Sequence, residues 1–133
     1  MRKLLAVVLL ISAPSQAQIS VQPNAGDIVP GPPILYGAWG TPDQCAAHES
    51  GDYENPGMFP YVISEDWIQR GVIYCRVLWR EHSSDAHGTQ VHAFVQCGED
   101  SLRDYRVFLE LRDDKLRIRW SGDFTTPELQ VCR

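Results

Sequence analysis

Residues 71–97 read GVIYCRVLWREHSSDAHGTQVHAFVQC, and the fold turns on how the two halves of this stretch lie against each other. In the first half Ile73, Cys75, Val77 and Trp79 recur at every second position. In the second half Val91, Ala93, Val95 and Cys97 do the same. Alternation with period two marks a strand with one buried face. Residues opposed in an antiparallel pair point to the same face, so the paired numbers must sum to an even value. A sum of 172 sets Cys75 against Cys97, Val77 against Val95 and Trp79 against Ala93. Directly opposed positions lie roughly 4.5 to 5.5 Å apart, within disulfide reach, whereas diagonal ones at about 7 Å are marginal. The register therefore predicts a Cys75–Cys97 bridge, with Cys45–Cys132 as its complement. The two other pairings of four cysteines remain open.

The segment between the strands, Glu81–His92, carries three histidines and an aspartate within twelve residues. In the same register its tip is Ser84–Gly88, His82 faces Gln90 and His92 faces Arg80. Both histidines point outward, and His87 sits in the tip. His82 and His92 are diagonal neighbours, a spacing that a zinc or copper ion can bridge, but Arg80 beside them opposes a cation. A Ser/His/Asp triad needs rigid orientation and an oxyanion hole, which a single loop does not supply. The expected state is a solvated hairpin tip, with metal binding by His82, His87 and His92 as an alternative.

Further along, Tyr105, Val107, Leu109 and Leu111 share a face, and Leu116, Ile118 and Trp120 continue it. Asp113-Asp114 reads as a two-residue turn that sets Arg112 against Lys115, Glu110 against Arg117 and Phe108 against Arg119, the last a cation–π pair. Upstream, Thr41 is an N-cap, Pro42 stands at the first helical position and Gln44 completes a capping box, so a short helical turn should end near Gly51. FPYVIS (59–64) is a short strand and SEDW (64–67) a turn. The fold class is all-β: a small antiparallel β-barrel or sandwich with one short helical turn, stapled by disulfides.

Residues 1–17 form a targeting segment, with a charged start (MRK), a short apolar run and small residues before an expected cut after Ala17. Residues 18–35, rich in Pro and Gly, are expected to be an arm or linker, and 36–133 a single domain. No later stretch is long and apolar enough to insert in a membrane as a helix. Four cysteines without a CxxC pair, in an exported chain, read as structural bridges in the periplasm or outside the cell.

The formal net charge is −5, and without Arg2 and Lys3 it is −7. Residues 18–69 hold seven acids and no Lys or Arg, whereas 70–133 hold ten of each sign. That balance argues against nucleic acid and better suits a basic partner, such as a protein of the cell envelope, with solubility alone as the alternative. No phosphate loop, HExxH or GxSxG occurs. Acidic loops such as Glu49, Asp52 and Glu54 are ordinarily solvated. No catalytic, metal or cofactor residue is therefore assigned, and the chain is not expected to be an enzyme.

The outward face, by contrast, carries Val72, Tyr74, Leu78, Phe94 and Phe108. Soluble monomers seldom leave such residues contiguous and bare. Either the acidic first half folds over them, or Tyr74, Leu78, Phe94, Phe108, Arg117 and Arg119 form a partner-binding face. A barrel interior holding a small ligand is a further alternative, although Trp79, Tyr105 and Trp120 crowd it.

With Gly37-Ala38-Trp39 near the domain start, four cysteines and Cys132 near the terminus, the chain resembles small four-cysteine periplasmic β proteins of bacteria. More loosely, it is similar over Tyr36–Cys132 to the periplasmic inhibitors of lysozymes and of secreted metalloproteases, which are small β-barrels. The lysozyme-inhibitor pattern has Ser-Gly followed two residues on by Tyr. Here Ser121-Gly122 is followed by Asp123 and Phe124, one residue short and without the hydroxyl. Inhibitors of the metalloprotease kind use an N-terminal arm, the position of residues 18–33. The resemblance implies a non-catalytic inhibitor of a secreted hydrolase, for which net acidity would suit a basic lysozyme.

Overall fold

The computed structural model describes residues 28–98 and 103–133. The expected export segment (1–17), its cut after Ala17 and the first part of the expected arm lie outside these residues. The central hairpin is formed by β4 (Ile73–Asp85) and β5 (Gly88–Cys97). Cys75 opposes and is bridged to Cys97, and Val77–Val95, Leu78–Phe94 and Trp79–Ala93 follow as the parity requires.

Beyond Trp79 the register departs from expectation. Arg80 and Glu81 together oppose His92, and the pairs continue as His82–Val91, Ser83–Gln90, Ser84–Thr89 and Asp85–Gly88. This is a β-bulge, which adds a residue to one strand and sharpens its twist. An unbroken register would aim the Glu81 carboxylate inward beside Val91, which is 0 % exposed. Burying that charge unpaired would cost far more than the lost ladder bonds. The turn is consequently tighter than the expected Ser84–Gly88, with Ala86 and His87 at its apex. The Asp85 carboxylate accepts from the backbone N–H of His87 (2.7 Å) and Gly88 (3.1 Å). Gly88 is required here: its φ is +145°, and a Cβ would lie 2.1 Å from the Leu111 carbonyl oxygen.

On the far side of β5 lie β6 (Arg103–Arg112) and β7 (Lys115–Trp120). Asp113 and Asp114 have φ of 50° and 60°, the twist a two-residue hairpin turn needs. The pairs Arg112–Lys115, Glu110–Arg117 and Phe108–Arg119 form as read from the sequence. With β1 (Gly37–Gly40), β2 (Tyr61–Ile63), β3 (Trp67–Arg70), β8 (Phe124–Thr125) and β9 (Gln130–Val131), the strands make one antiparallel sheet. Its order is β8-β7-β6-β5-β4-β3-β2-β1-β9. The sheet curls into a partial barrel whose margins meet through the C-terminal segment. Leu129 exchanges both backbone hydrogen bonds with Leu116 at 2.8 Å, while Gln130 and Val131 pair with Gly40 and Trp39. Inside, Trp39, Ile63, Trp79, Leu109, Leu116 and Ile118 form the centre of one core.

The helix α1 (Pro42–Ser50) has the expected capping box: Thr41 accepts from the Gln44 N–H, and Gln44 Oε1 accepts from the Thr41 N–H. Gly51 closes it at φ 72°. Cys45 on this helix is bridged to Cys132, so the second staple ties α1 to the C-terminus. Thr41→Ala should lower the unfolding free energy by about 1 kcal/mol, measured by urea denaturation.

Three expectations change. Residues 28–35 are packed, so the domain begins before Tyr36. The Val29 N–H donates to the Trp79 carbonyl (3.1 Å), Gly31 lies against the Trp79 indole, and Pro33–Leu35 forms a 3-10 turn. Leu35 is 0 % exposed, and its carbonyl accepts from Trp39 Nε1 at 2.8 Å. The SEDW turn forms, with Ser64 and Trp67 hydrogen-bonded to each other, but Trp67 also begins β3. Ile73, expected inside, is 60 % exposed; it pairs with Arg70 beside the two-residue turn that joins β3 to β4, at the end of that hairpin.

Candidate docking face

Side chains alternate across a pleated sheet, so the even-numbered residues of β4 up to the bulge at Arg80-Glu81, those of β5 and β6, and the odd-numbered ones of β7 share the outer face. Register sorts them into rows. Leu78, Phe94 and Arg106 lie side by side across β4, β5 and β6; His92, Phe108 and Arg119 do so across β5, β6 and β7. Each phenylalanine is thereby flanked by a cation. The Arg106 guanidinium lies 5.7 Å from the Phe94 ring centre and that of Arg80 lies 4.9 Å from it. Arg119 is 4.8 Å from the Phe108 centre, and the His92 ring is 4.8 Å from the same ring. Guanidinium stacking on an aromatic face is favourable by about 0.5 to 2 kcal/mol and holds the flat cation in a fixed plane.

Of the residues singled out in sequence, Leu78, Phe94, Phe108 and Arg119 come together in this patch. Tyr74, 53 % exposed, stands nearer the β3–β4 turn, edge-to-face with Trp67 at 6.2 Å and beside the bare Val72. Arg117 is drawn to the β7 side by an ion pair with Glu128 at 3.0 Å. Arg112 lies 3.8 Å from Glu110. Sequence reasoning missed Arg80, Arg106, His92 and Trp67 as members of the face. Their parity was visible, but outward charges read as ordinary solvation until the register sets them on rings.

Two adjoining depressions of about 640 and 370 Å³ run over this face. Arg80, Glu81 and Phe94 line the first, Arg119, Ser121 and Asp123 the second, and both share His92, Arg106 and Val107. Among the described residues no acid of the first half is ion-paired to this face. Among the described residues the ion pairs are Arg112–Glu110 and Arg117–Glu128, both within 103–133. Helix α1 packs instead against β1 and the 3-10 turn Pro56–Met58.

The alternative sites take a different shape. His82 follows the bulge, His87 lies in the turn and His92 is stacked on Phe108, and among the described residues no three His, Cys, Asp or Glu side chains converge to hold a metal ion. The cysteines are bridged and so are not nucleophiles. Inside the curl, Trp39, Trp79, Tyr61 and fully buried aliphatic side chains occupy the space that a small ligand would need. Two phenols are shifted. Burial pushes Tyr36 up, with the carboxylates of Glu65 and Asp66 adding to it. Burial also pushes Tyr61 up, against an opposing pull from Arg70. Both shifts hold these phenols neutral. Compared with family models, with curated proteins and with solved structures, the chain has no match.

Proposed function

We propose that the protein is a non-catalytic binding module of the cell envelope, periplasmic or secreted, and that it docks a protein partner on the outer face of β3–β7. The observation that carries this is the pair of half-buried phenylalanines on the solvent side of the sheet, each capped by arginine, with Leu78 beside Phe94 and the Tyr74–Trp67 pair farther along the same face. Tyr, Trp and Arg are the residues that dominate binding energy where proteins meet. Two disulfides fit a non-cytoplasmic compartment.

The test compares wild type with a Tyr74→Ala/Leu78→Ser variant, both immobilised and exposed to envelope extract. Saturable retention by wild type, weakened about tenfold or more in the variant with its near-UV circular dichroism unchanged, is the expected result. Equal retention by both would remove the face from the account. Inhibition of a secreted hydrolase, such as a lysozyme, is the specific form of this function that the sequence resemblance implies. Unchanged hydrolase rates at large molar excess would remove that form and leave the docking role.

A further inference from the structure

A guanidinium that stacks on a ring uses its flat face and leaves its five N–H donors directed outward from the edge. Arg112 and Arg117 direct theirs at Glu110 and Glu128. Arg106 and Arg119 have no carboxylate of a described residue within 4.0 Å, although both are seated on rings. They are oriented forks whose donors are open to an incoming group. Since Arg119 opposes Phe108 and Arg106 precedes Phe108 by two residues on β6, the two arginines are diagonal neighbours, with about 7 to 8 Å between their positions. In an extended chain, side chains on one face recur every second residue, about 6.6 to 6.8 Å apart. The two spacings match.

We propose, on the reading of this face as a protein-docking surface, that Arg106 and Arg119 receive two carboxylates placed two residues apart on an extended acidic segment of the partner protein. Each carboxylate accepts a forked pair of hydrogen bonds from one guanidinium, the arrangement that makes such pairs strong and directional. The segment follows the two depressions that join at His92 and Arg106.

The same groove says why the acidic stretch is short. Glu81 lines one depression and Asp123 the other, so a carboxylate accompanies the arginines in each part of the groove. The chain as a whole carries a net charge of −5. A long polyanion, whether glycan or nucleic acid, would meet repulsion beyond the groove, whereas two local carboxylates fall within one screening length of the arginines, about 8 to 10 Å.

Fluorescence anisotropy with labelled peptides tests this. One peptide carries its two Glu separated by one Ser, its isomer carries them adjacent, and a sulfated heparin fragment serves as the glycan probe. Wild type should bind the separated isomer in saturable fashion, at least several-fold tighter than the adjacent one and tighter than the heparin fragment. Arg106→Gln and Arg119→Gln should each weaken it by roughly tenfold, while Arg112→Gln changes it by less than about twofold. Equal binding of the isomers, no saturable binding, tighter binding of heparin, or losses equal to that of Arg112→Gln would each overturn the proposal. If the peptide fails while extract retention still depends on Tyr74 and Leu78, the docking face stands and only the acidic-segment assignment falls.

Discussion

Replacing Cys45 and Cys132 together by alanine is expected to lower the unfolding free energy by about 4.6 kcal/mol, and the melting temperature by about 20 °C or more. The bond closes the longer of the two disulfide loops, its ends 87 positions apart in sequence. On the chain-entropy account a longer loop restricts the unfolded ensemble more. The Cys75–Cys97 bridge spans only 22 positions, and its removal should cost less, about 3.4 kcal/mol. The native side of the balance points the same way. Cys132 follows β9, the strand through which the two margins of the sheet meet, and its N–H donates to the Ala38 carbonyl at 2.8 Å. Thermal and guanidinium denaturation of the two double variants would settle the order. A loss below about 1 kcal/mol for Cys45/Cys132 would mean that the β-ladder alone holds the margins together.

Leu35→Ala should cost about 3 kcal/mol or more, the usual result of emptying a fully enclosed leucine site. The side chain is wholly enclosed by the core, and the residue's carbonyl anchors the Trp39 indole. The denaturant midpoint should fall with the slope unchanged, since the substitution alters packing and not the extent of folding. A change below about 1 kcal/mol would mean that residues 28–35 are a tether laid on the barrel and not part of it.

That leucine also marks where sequence reading stops. It stands between Ile34 and Tyr36 at the end of a Pro- and Gly-rich run, and three apolar residues in a row show no period from which to tell which of them is buried. Strand β3 was hidden for a similar reason. It has four residues, of which Ile68 alone is fully buried, so no alternation is visible. By contrast the β4–β5 register was legible, because two cysteines and six apolar residues had to agree on one parity. The β6–β7 hairpin was legible through Asp113-Asp114, and α1 through Thr41, Pro42 and Gln44. The bulge at Arg80-Glu81 was not, because it answers a tertiary demand: Val91 must be enclosed and Glu81 must not be.

The docking face divides along the same line. Phe108 with Arg119 followed from a turn of known length, and Leu78 with Phe94 from the disulfide register. Arg106 and His92 acquire meaning only when three strands are set side by side, because the row that places each against a phenylalanine crosses two hairpins. The link between β5 and β6 reads GEDSL (98–102), a stretch without a defined turn length or disulfide from which that second register could be counted.

The most direct measurement follows the guanidinium Nε–H resonances of isotopically labelled protein as the peptide with separated glutamates is added. The account predicts that the signals of Arg106 and Arg119 move together along one saturable curve, while those of Arg112 and Arg117, already paired to Glu110 and Glu128, stay near their starting positions. Movement centred on Arg112 and Arg117, or on residues of α1, would contradict it, as would an outer face that does not respond.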